Sequence, residues 1–329
     1  MGAFFRNVSC GLFALGSMIS LTASPGLAQT WPERPIHIFV AQGAGGGQDS
    51  FMRYLADKLS TRLRQSIVIE NRPGAGAIIG TQAAARATPD GYNFAVTSSA
   101  AMASNPHLVK ALPYDPLRDF VPVALLSKPG FLFSASSKLP AKTLPELIAL
   151  EKKEPGRISV AIDGLRNANG LAAAYLNKVA GVNMRLVPYT SPAQGMQDVI
   201  NGNVDVFVAP PGVHMPQIEA GKLNPIAVTG GQREVALPNT PMIGESYPGF
   251  TMLGWLMISA PANTPKHAIA AMNAALDDVL KDPAVIEWML KFGSPSNRGA
   301  GNLAELENFV RSEIELWGKI TKTLGMEPQ

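Results

Sequence analysis

Short apolar runs alternate with longer segments of helical periodicity along most of the chain. The runs IHIFVA, SIVIE, NFAVTSS, FLFSASS and RISVAI have the length of strands, and segments such as SFMRYLADKLSTRL and TLPELIALEKK lie between them. In the first of these helical segments Phe51, Leu55, Leu59 and Leu63 fall on one face. A strand–helix–strand rhythm is typical of parallel sheets with helices on both faces. The pattern therefore predicts an α/β fold.

Two apolar stretches divide this pattern into two lobes. The stretches around 124–136 and 254–260 are predicted to be strands that cross between lobes, and segments rich in proline and glycine lie near them. We expect one lobe to combine 29–127 with 251–329, and a second lobe to consist of 128–250. Two lobes joined by two crossings form a hinge with a cleft between them.

The first 28 residues have the organisation of a secretory signal peptide. One positive charge, Arg6, precedes an apolar run from Leu12 to Leu21, and small residues end the segment at Ala28. A membrane anchor is disfavoured because the apolar run is shorter than the roughly 20 residues that cross a bilayer. We expect cleavage after Ala28 and an exported, soluble product.

Composition and charge narrow the possible partners. A chain of 329 residues with 46% apolar residues has enough material for a folded core. The single cysteine, Cys10, lies in the predicted signal peptide, so the mature chain has no disulfide, no thiolate nucleophile and no cysteine metal site. Removal of Arg6 lowers the net charge from +3 to +2, and no long basic run suggests nucleic-acid binding. We therefore expect small-molecule partners.

The segment VAQGAGGGQDS places a glycine-rich loop between the first strand and the first helix. A dinucleotide-binding fingerprint needs a third glycine where Gln48 stands, and no Gly-Lys-Ser or Gly-Lys-Thr of a P-loop follows. The backbone amides of Gly45, Gly46 and Gly47, at the positive end of a helix, suit a carboxylate or another small anion. The alternative is a flexible turn. Asp49 is expected to be the N-cap of the helix.

Catalytic machinery is not recognisable in the sequence. The four histidines have no metal-ligand spacing, and neither His-Glu-x-x-His nor Gly-x-Ser-x-Gly occurs. Polar loops instead follow three strands, as Thr97-Ser98-Ser99, Asp163-Gly164-Leu165-Arg166-Asn167 and Tyr189-Thr190-Ser191. Ligands of open α/β sheets lie beyond the carboxyl ends of strands, so these loops can converge on one cleft. Each loop taken singly is more typical of a turn or a helix cap.

Arg166 is the one loop residue with a strong anion-binding group. A guanidinium can bind a carboxylate through two parallel hydrogen bonds. A solvated surface charge and a partner of Asp163 are the other interpretations. We hypothesise that Arg166 contacts a second carboxylate or another polar end of the ligand, with Leu165 and Met102 against its apolar middle.

Seven segments of the chain, in order, resemble the Bug-type solute-binding receptors of tripartite tricarboxylate transporters. They are GAGGGQD, IENRPGAGAIIG, ATPDGYNFAV, NPHLVKALPYDPLRDFVPVALL, VPYTSPAQGMQDVINGNVDV, IEAGKLNPIAVT and APANTP. The resemblance runs from about Trp31 to the C-terminus. It implies a periplasmic binding protein type II fold, in which two α/β lobes close on a small carboxylate, and delivery of that ligand to membrane permease subunits.

The resemblance assigns functions only where positions match. In the first loop Gly45, Gly46 and Gly47 match the family pattern, while Gln42 and Gln48 depart from it. In later loops hydroxyls and Tyr189 are kept, whereas the usual Lys-Gly after that tyrosine is replaced. The expected ligand-binding residues are Gln42, Gly45, Gly46, Gly47, Gln48, Ser98, Ser99, Gly164, Leu165, Arg166, Asn167, Tyr189, Thr190 and Ser191.

The sequence thus predicts a periplasmic receptor for a small carboxylate, which is a dicarboxylate or tricarboxylate, an amino acid or an aromatic acid. It is expected to be a monomer and not an enzyme, and to use no metal or cofactor. The first alternative is an exported sensor that presents its ligand to a signalling partner. The second is an exported enzyme.

Overall fold

Ten strands and eleven α-helices make up the computed structural model, which describes residues 1–2, 31–45, 47–291 and 299–329. Nearly all of the predicted signal peptide, and Gly46, lie outside the described residues. The strands are β1 (Ile36–Val40), β2 (Ile67–Asn71), β3 (Asn93–Ser98), β4 (Phe120–Ser127), β5 (Leu132–Ser136), β6 (Ser159–Ile162), β7 (Arg185–Pro188), β8 (Val206–Ala209), β9 (Leu223–Val228) and β10 (Leu256–Pro261).

Helices separate most of the strands, as the sequence predicts, although β5 follows β4 directly. They are α1 (Gly47–Leu63), α2 (Ile78–Ala85), α3 (Asn105–Leu108), α4 (Leu144–Lys153), α5 (Ala168–Ala180), α6 (Pro192–Asn201), α7 (Met215–Glu219), α8 (Ile243–Ser246), α9 (Lys266–Lys281), α10 (Pro283–Lys291) and α11 (Leu303–Thr323). Short 3-10 turns occupy Ala75–Ala77 and Pro211–Val213, and a π-helical turn occupies Ala100–Ser104. None of the helices in the described ranges is long and apolar enough to span a bilayer.

The strands form two five-stranded sheets. The first sheet has the order β2-β1-β3-β10-β4 and the second has the order β7-β6-β8-β5-β9. Strands β1, β2 and β3 are parallel, as are β6, β7 and β8, whereas β10 and β5 run antiparallel to both of their neighbours. The sheets are therefore mixed rather than wholly parallel, because β5 and β10 enter from the other sheet and not through a crossover helix.

The chain passes between the sheets twice, after β4 and after β9. The apolar stretch expected to be one crossing strand is two strands, interrupted at Lys128-Pro129-Gly130. The two passages touch through an antiparallel bridge between Gly130 and Leu253. Thr229 joins them further, since its Oγ1 accepts from the N–H of Phe131 at 2.8 Å and donates to the carbonyl of Met252 at 2.6 Å. The division of the chain into 29–127 with 251–329 and 128–250 stays a prediction.

The first helix packs as its periodicity predicts. Phe51, Leu55 and Leu59 are buried, and Leu63, near the C-terminal end of α1, is half-buried. These apolar contacts fix α1 relative to the first sheet and hold its N-terminus beside the end of β1.

Candidate functional site

The glycine-rich loop after β1 is closed by its own side chains. The Oε1 atom of Gln42 accepts a hydrogen bond from the N–H of Gln48 at 2.7 Å, and the N–H of Gly45 donates to Oδ2 of Asp49 at 2.8 Å. Gly45 has a φ of +78°, which favours glycine. Within the described ranges the N–H of Gly47 has no hydrogen-bond partner, so it is available to a ligand.

Asp49 is not the N-cap that the sequence predicts. Helix α1 begins at Gly47, so Asp49 lies in the first turn and its carboxylate points back at the loop. This side chain is 2% exposed and also accepts from Nε of Arg53 at 3.0 Å and Nδ2 of Asn71 at 2.9 Å. These hydrogen bonds, that from Arg53 foremost, lower the pKa of Asp49 to about 2 against the opposing effect of burial. The loop is thus shaped around a carboxylate whose charge is already neutralised.

The end of β3 carries two hydroxyls. Ser98 and Ser99 are both mostly buried, and a π-helical turn follows them at once. The Oγ of Ser98 accepts from the N–H of Ala101 at 3.3 Å, so its own proton remains to be donated. The N–H of Ser99 donates to the carbonyl of Trp255 at 3.1 Å. The backbone is thereby fixed while the hydroxyl of Ser98 keeps a free donor.

A left-handed turn follows β2 at the same edge of the sheet. Four consecutive residues have positive φ angles: Gly74, Ala75, Gly76 and Ala77. This conformation costs a non-glycine residue about 1 kcal/mol. Nδ2 of Asn105 donates to the carbonyl of Gly76 at 3.1 Å and holds the turn. Because β1, β2 and β3 are parallel, their three C-terminal loops lie together at one edge.

The loop after β6 packs closely on the helix that follows it. A Cβ at Gly170 would lie 2.0 Å from the carbonyl oxygen of Gly164, so only glycine allows this approach. The N–H of Asn167 donates to the same carbonyl at 3.3 Å, and its Nδ2 donates to the carbonyl of Asp163 at 3.2 Å. The loop is therefore tightly folded at the carboxyl end of β6.

Arg166 is directed at the opposite half of the molecule. Its Nη2 donates to the carbonyl of Leu108 at 2.8 Å and to the carbonyl of Glu327 at 3.0 Å. Leu108 ends α3 on the first-sheet side, and Glu327 lies in the C-terminal segment after α11. None of the ion pairs formed by the described part of the chain joins Arg166 to Asp163, so the interpretation of Arg166 as a partner of Asp163 is wrong. The guanidinium joins the two halves through backbone carbonyls.

The two apolar residues expected beside the ligand have other surroundings. Leu165 is half exposed and lines an open groove with Thr323 and Leu324. Met102 is fully buried in the apolar core. The side chain of Leu165 thus faces that groove, and the side chain of Met102 packs inside the core.

The loop after β7 contributes one fixed and two exposed hydroxyls. The hydroxyl of Tyr189 donates to Oδ2 of Asp198 at 2.7 Å, and its ring packs on Gly195, where a Cβ would lie 3.1 Å from a ring atom. Desolvation, followed by the charge of Asp198, raises the pKa of Tyr189. Thr190 and Ser191 are exposed. Since β6 and β7 are parallel, this loop lies at the same edge as 163–167.

Asp163 combines solvent exposure with a raised pKa. Desolvation by surrounding protein raises the pKa of its carboxyl, although the side chains of Asn167 and Asn169 act in the opposite direction.

Residues that the sequence did not single out complete the arrangement. Asn71, at the end of β2, donates its Nδ2 to the carbonyl of Gln42 at 3.0 Å as well as to Asp49. Its position in the IENRPGAG segment, directly after a strand, was the available signal. No signal in the sequence pointed to the partners of Arg166, because the accepting atoms are backbone carbonyls of residues distant in sequence.

A serine–histidine pair beside the second sheet is fully buried and closed to a substrate. Oγ of Ser134 donates to Nδ1 of His214 at 2.6 Å, and Nε2 of His214 donates to the carbonyl of Ala209 at 3.2 Å. Both side chains are fully buried, and desolvation lowers the pKa of His214 to about 3. A neutral, enclosed imidazole of this kind supports the core. The described ranges contain no group of three or more histidine, cysteine or acidic residues placed to hold a metal.

Known proteins are similar to this chain in sequence and in fold. The model of the tripartite tricarboxylate transporter family receptor matches residues 51–326. Protein BugT of Bordetella pertussis is 29% identical over 323 residues, which cover 97% of this chain and 98% of that protein. Among solved structures, R. palustris Rpa4515 with adipate is 28% identical with a TM-score of 0.81, over 91% of this chain and 100% of that one.

A second structure confirms the predicted fold class. The periplasmic binding protein BugD is 32% identical with a TM-score of 0.78, over 91% of this chain and 100% of that one. The predicted fold, two α/β halves each built on its own sheet, agrees with these structures. Because the family match spans most of the sequence, the chain belongs to the tripartite tricarboxylate transporter family of receptors, which are binding proteins and not enzymes.

Proposed function

We propose that this protein is a periplasmic receptor, exported with cleavage of residues 1–28, that captures a small carboxylate between two lobes and delivers it to the permease of a tripartite tricarboxylate transporter. The observation that carries the proposal is the arrangement of its strand ends. In each sheet the loops after parallel strands lie at one edge, where ligands of α/β proteins bind. Relatives described as a periplasmic binding protein and as an adipate-bound protein support it.

On the first-sheet side, we propose that one ligand carboxylate is bound by neutral donors. The N–H of Gly47 and the hydroxyls of Ser98 and Ser99 supply these hydrogen bonds and carry no charge. The loop needs no ligand to hold its shape, because Asp49 already satisfies the N–H of Gly45. A preorganised loop binds more tightly since little ordering remains to be done.

Gln42 and Gln48 border that carboxylate in our proposal. The carbonyl oxygen of the Gln42 side chain accepts from the N–H of Gln48, so its Nε2 donors remain to face a ligand. On the second-sheet side Gly164, Asn167, Tyr189, Thr190 and Ser191 stay in the proposed site. We leave out Leu165 and Arg166 because their contacts lie with the C-terminal segment.

The proposal is tested by thermal-shift screening of the purified mature protein against aliphatic, amino and aromatic acids, followed by calorimetric titration. A ligand that binds only the folded state stabilises it by RT ln(1 + [L]/Kd), so a true ligand raises the melting temperature in a concentration-dependent way. The unchanged ligand should be recovered after incubation. Absence of binding by every carboxylate tested, with a folded protein, contradicts the proposal.

The substitution Gln42→Glu tests whether the ligand carboxylate binds beside the glycine-rich loop. A second negative charge beside the N-terminus of α1 should weaken carboxylate binding by about tenfold or more, because like charges repel at short range. Gln65→Glu, beyond the far end of α1, is the matched control and should change affinity by less than about twofold. Equal effects of the two substitutions would place the carboxylate elsewhere.

A further inference from the structure

The second-sheet edge of the proposed site carries an unneutralised negative charge. Asp163 directly follows β6, its side chain is exposed, and none of the ion pairs formed within the described ranges includes it. On the first-sheet edge the acid of the glycine-rich loop is different, since Asp49 lies in the first turn of α1, where it is buried and paired with Arg53. Of these two acids, Asp163 is therefore the one whose charge is open to a ligand.

The cation closest to Asp163 in sequence does not cancel this charge. Arg166 lies three residues after Asp163, but its Nη2 donates to the carbonyls of Leu108 and Glu327 and so is committed to the other half of the molecule. Both hydrogens of Nη2 are used by these carbonyls, so a bidentate contact with a ligand carboxylate would displace one of them. Arg166 is the only cation in the loop 163–167, and its bidentate edge is therefore already occupied.

The polar neighbours of Asp163 are neutral and largely engaged. Nδ2 of Asn169 donates to the carbonyl of Val208 at 2.9 Å and its Oδ1 accepts from the N–H of Gly170 at 2.7 Å. The hydroxyl of Tyr189 donates to Asp198. Desolvation raises the pKa of Asp163, and hydrogen bonds from the side chains of Asn167 and Asn169 act in the opposite direction. Because these two amides carry no charge, a cation or another hydrogen-bond donor on the ligand is the group that offsets the negative charge of Asp163.

We infer that Asp163 determines specificity: it selects ligands with one carboxylate at one end and a hydrogen-bond donor, such as an ammonium, amide or hydroxyl group, at the other, and it disfavours α,ω-dicarboxylates. This inference rests on the proposed function, because it assumes that the first-sheet loops bind the carboxylate. Attraction of a donor and repulsion of a second carboxylate both contribute to such discrimination. It distinguishes this chain from the R. palustris relative solved with adipate, a compound with two carboxyls.

The test uses probes that differ only at the far end. Hexanoate, 6-hydroxyhexanoate, 6-aminohexanoate and adipate are titrated calorimetrically into the wild-type protein, and the same four end groups are repeated on chains of three to eight carbons. We expect the amino or hydroxy acid to bind more tightly than the diacid at the preferred length. Asp163→Asn should weaken binding of the amino acid by about tenfold or more and strengthen binding of the diacid. The affinity for the plain acid should change by less than about twofold.

Glu219→Gln is the matched control. Glu219 is an exposed acid on the same half of the molecule, at the end of α7, and its neutralisation should leave the probe ranking unchanged. Asp163→Ser is a second variant, in case the asparagine disturbs the loop. The ranking of probes on the wild-type protein tests the inference even if neither variant folds.

Two sets of results separate the inference from the proposed function. Diacids that bind more tightly than their amino and hydroxy counterparts at every length, or a ranking that Asp163→Asn and Asp163→Ser leave unaltered, overturn the role of Asp163 and leave the carboxylate receptor intact. Failure of every plain, amino, hydroxy and dicarboxylic acid to bind the folded protein overturns both.

Discussion

Each sheet has an edge formed by the loops after its parallel strands, but the two edges differ in whether their acidic side chain is neutralised. On the first sheet the acid, Asp49, is buried, neutralised by Arg53 and used to hold the glycine loop. On the second sheet the acid, Asp163, is exposed, and Arg166 donates instead to backbone carbonyls of the other half of the molecule. The comparison suggests a division of roles, in which the first edge supplies rigid neutral donors for a carboxylate and the second edge discriminates among far ends.

Asp49→Ala should have the largest effect on stability, because it removes the side chain that organises the first edge. The N–H of Gly45 and Nδ2 of Asn71 lose a charged acceptor, and we expect a loss of about 3 kcal/mol in the free energy of unfolding. Denaturant titration measures it. Asp57→Ala, at an exposed position of the same helix, is the control and should cost less than about 0.5 kcal/mol. A small loss at Asp49 would mean that the loop is shaped by other contacts.

His214 and Asp49 should lower the free energy of unfolding in different pH ranges as the solution is acidified. The pKa of His214 in the folded protein is about 3, below its ordinary 6.5, so the unfolded chain binds a proton first and stability falls as pH drops below 6.5. Between pH 7 and pH 5 the expected loss is about 2 kcal/mol. Asp49, with a pKa lowered to about 2 from 3.8, contributes stability that is lost only below about pH 4.

The histidine is responsible for this loss if His214→Gln flattens the pH dependence of the free energy of unfolding between pH 7 and pH 5. His267→Gln, at an exposed position, should keep the wild-type slope. Identical slopes for all three proteins would show that His214 does not control the acid response of the second half.

Arg166→Ala probes the contact between the halves. Loss of hydrogen bonds to Leu108 and Glu327 should lower the free energy of unfolding by about 1 to 2 kcal/mol and change affinity for monocarboxylates and dicarboxylates by the same factor. Denaturation and calorimetric titration on one preparation give both numbers. A selective loss of dicarboxylate binding would instead restore the role predicted from sequence, a guanidinium that reads a second carboxylate.

Ala77→Gly should have the smallest effect and the opposite sign. Ala77 has a φ of +73°, which glycine adopts without strain, so the substitution should stabilise the protein by about 0.5 kcal/mol after the entropy of the unfolded glycine is counted. Ala83→Gly, within α2, should destabilise by about 1 kcal/mol. If both substitutions destabilise alike, the left-handed turn stores no strain.

The strands, the helices and the α/β class could be predicted because each depends on the hydrophobic pattern of a short segment. Alternating apolar runs and the face formed by Phe51, Leu55 and Leu59 predicted strands, helices and the α/β class. Periodicity carries no information on strand direction, so the antiparallel β5 and β10 were missed. The break at Lys128-Pro129-Gly130 carries a Pro-Gly turn signal and was still included in one predicted strand.

The candidate site was harder to predict because its partners are distant in sequence. Glycines and hydroxyls after strands marked the loops correctly as strand-end loops. The sequence could not reveal that Asp49 turns back to Gly45 or that Arg166 reaches Glu327, since both depend on how the loops fold in three dimensions. A charged residue in a loop has several possible partners, and only the tertiary structure decides among them.

A crystal structure with the tightest carboxylate from the screen tests the central claim most directly. The account predicts one ligand carboxylate between the N–H of Gly47 and the hydroxyls of Ser98 and Ser99, with the far end of the ligand within hydrogen-bond distance of the second-sheet loop that begins at Asp163. A ligand bound outside these strand-end loops, with both edges empty, would contradict it.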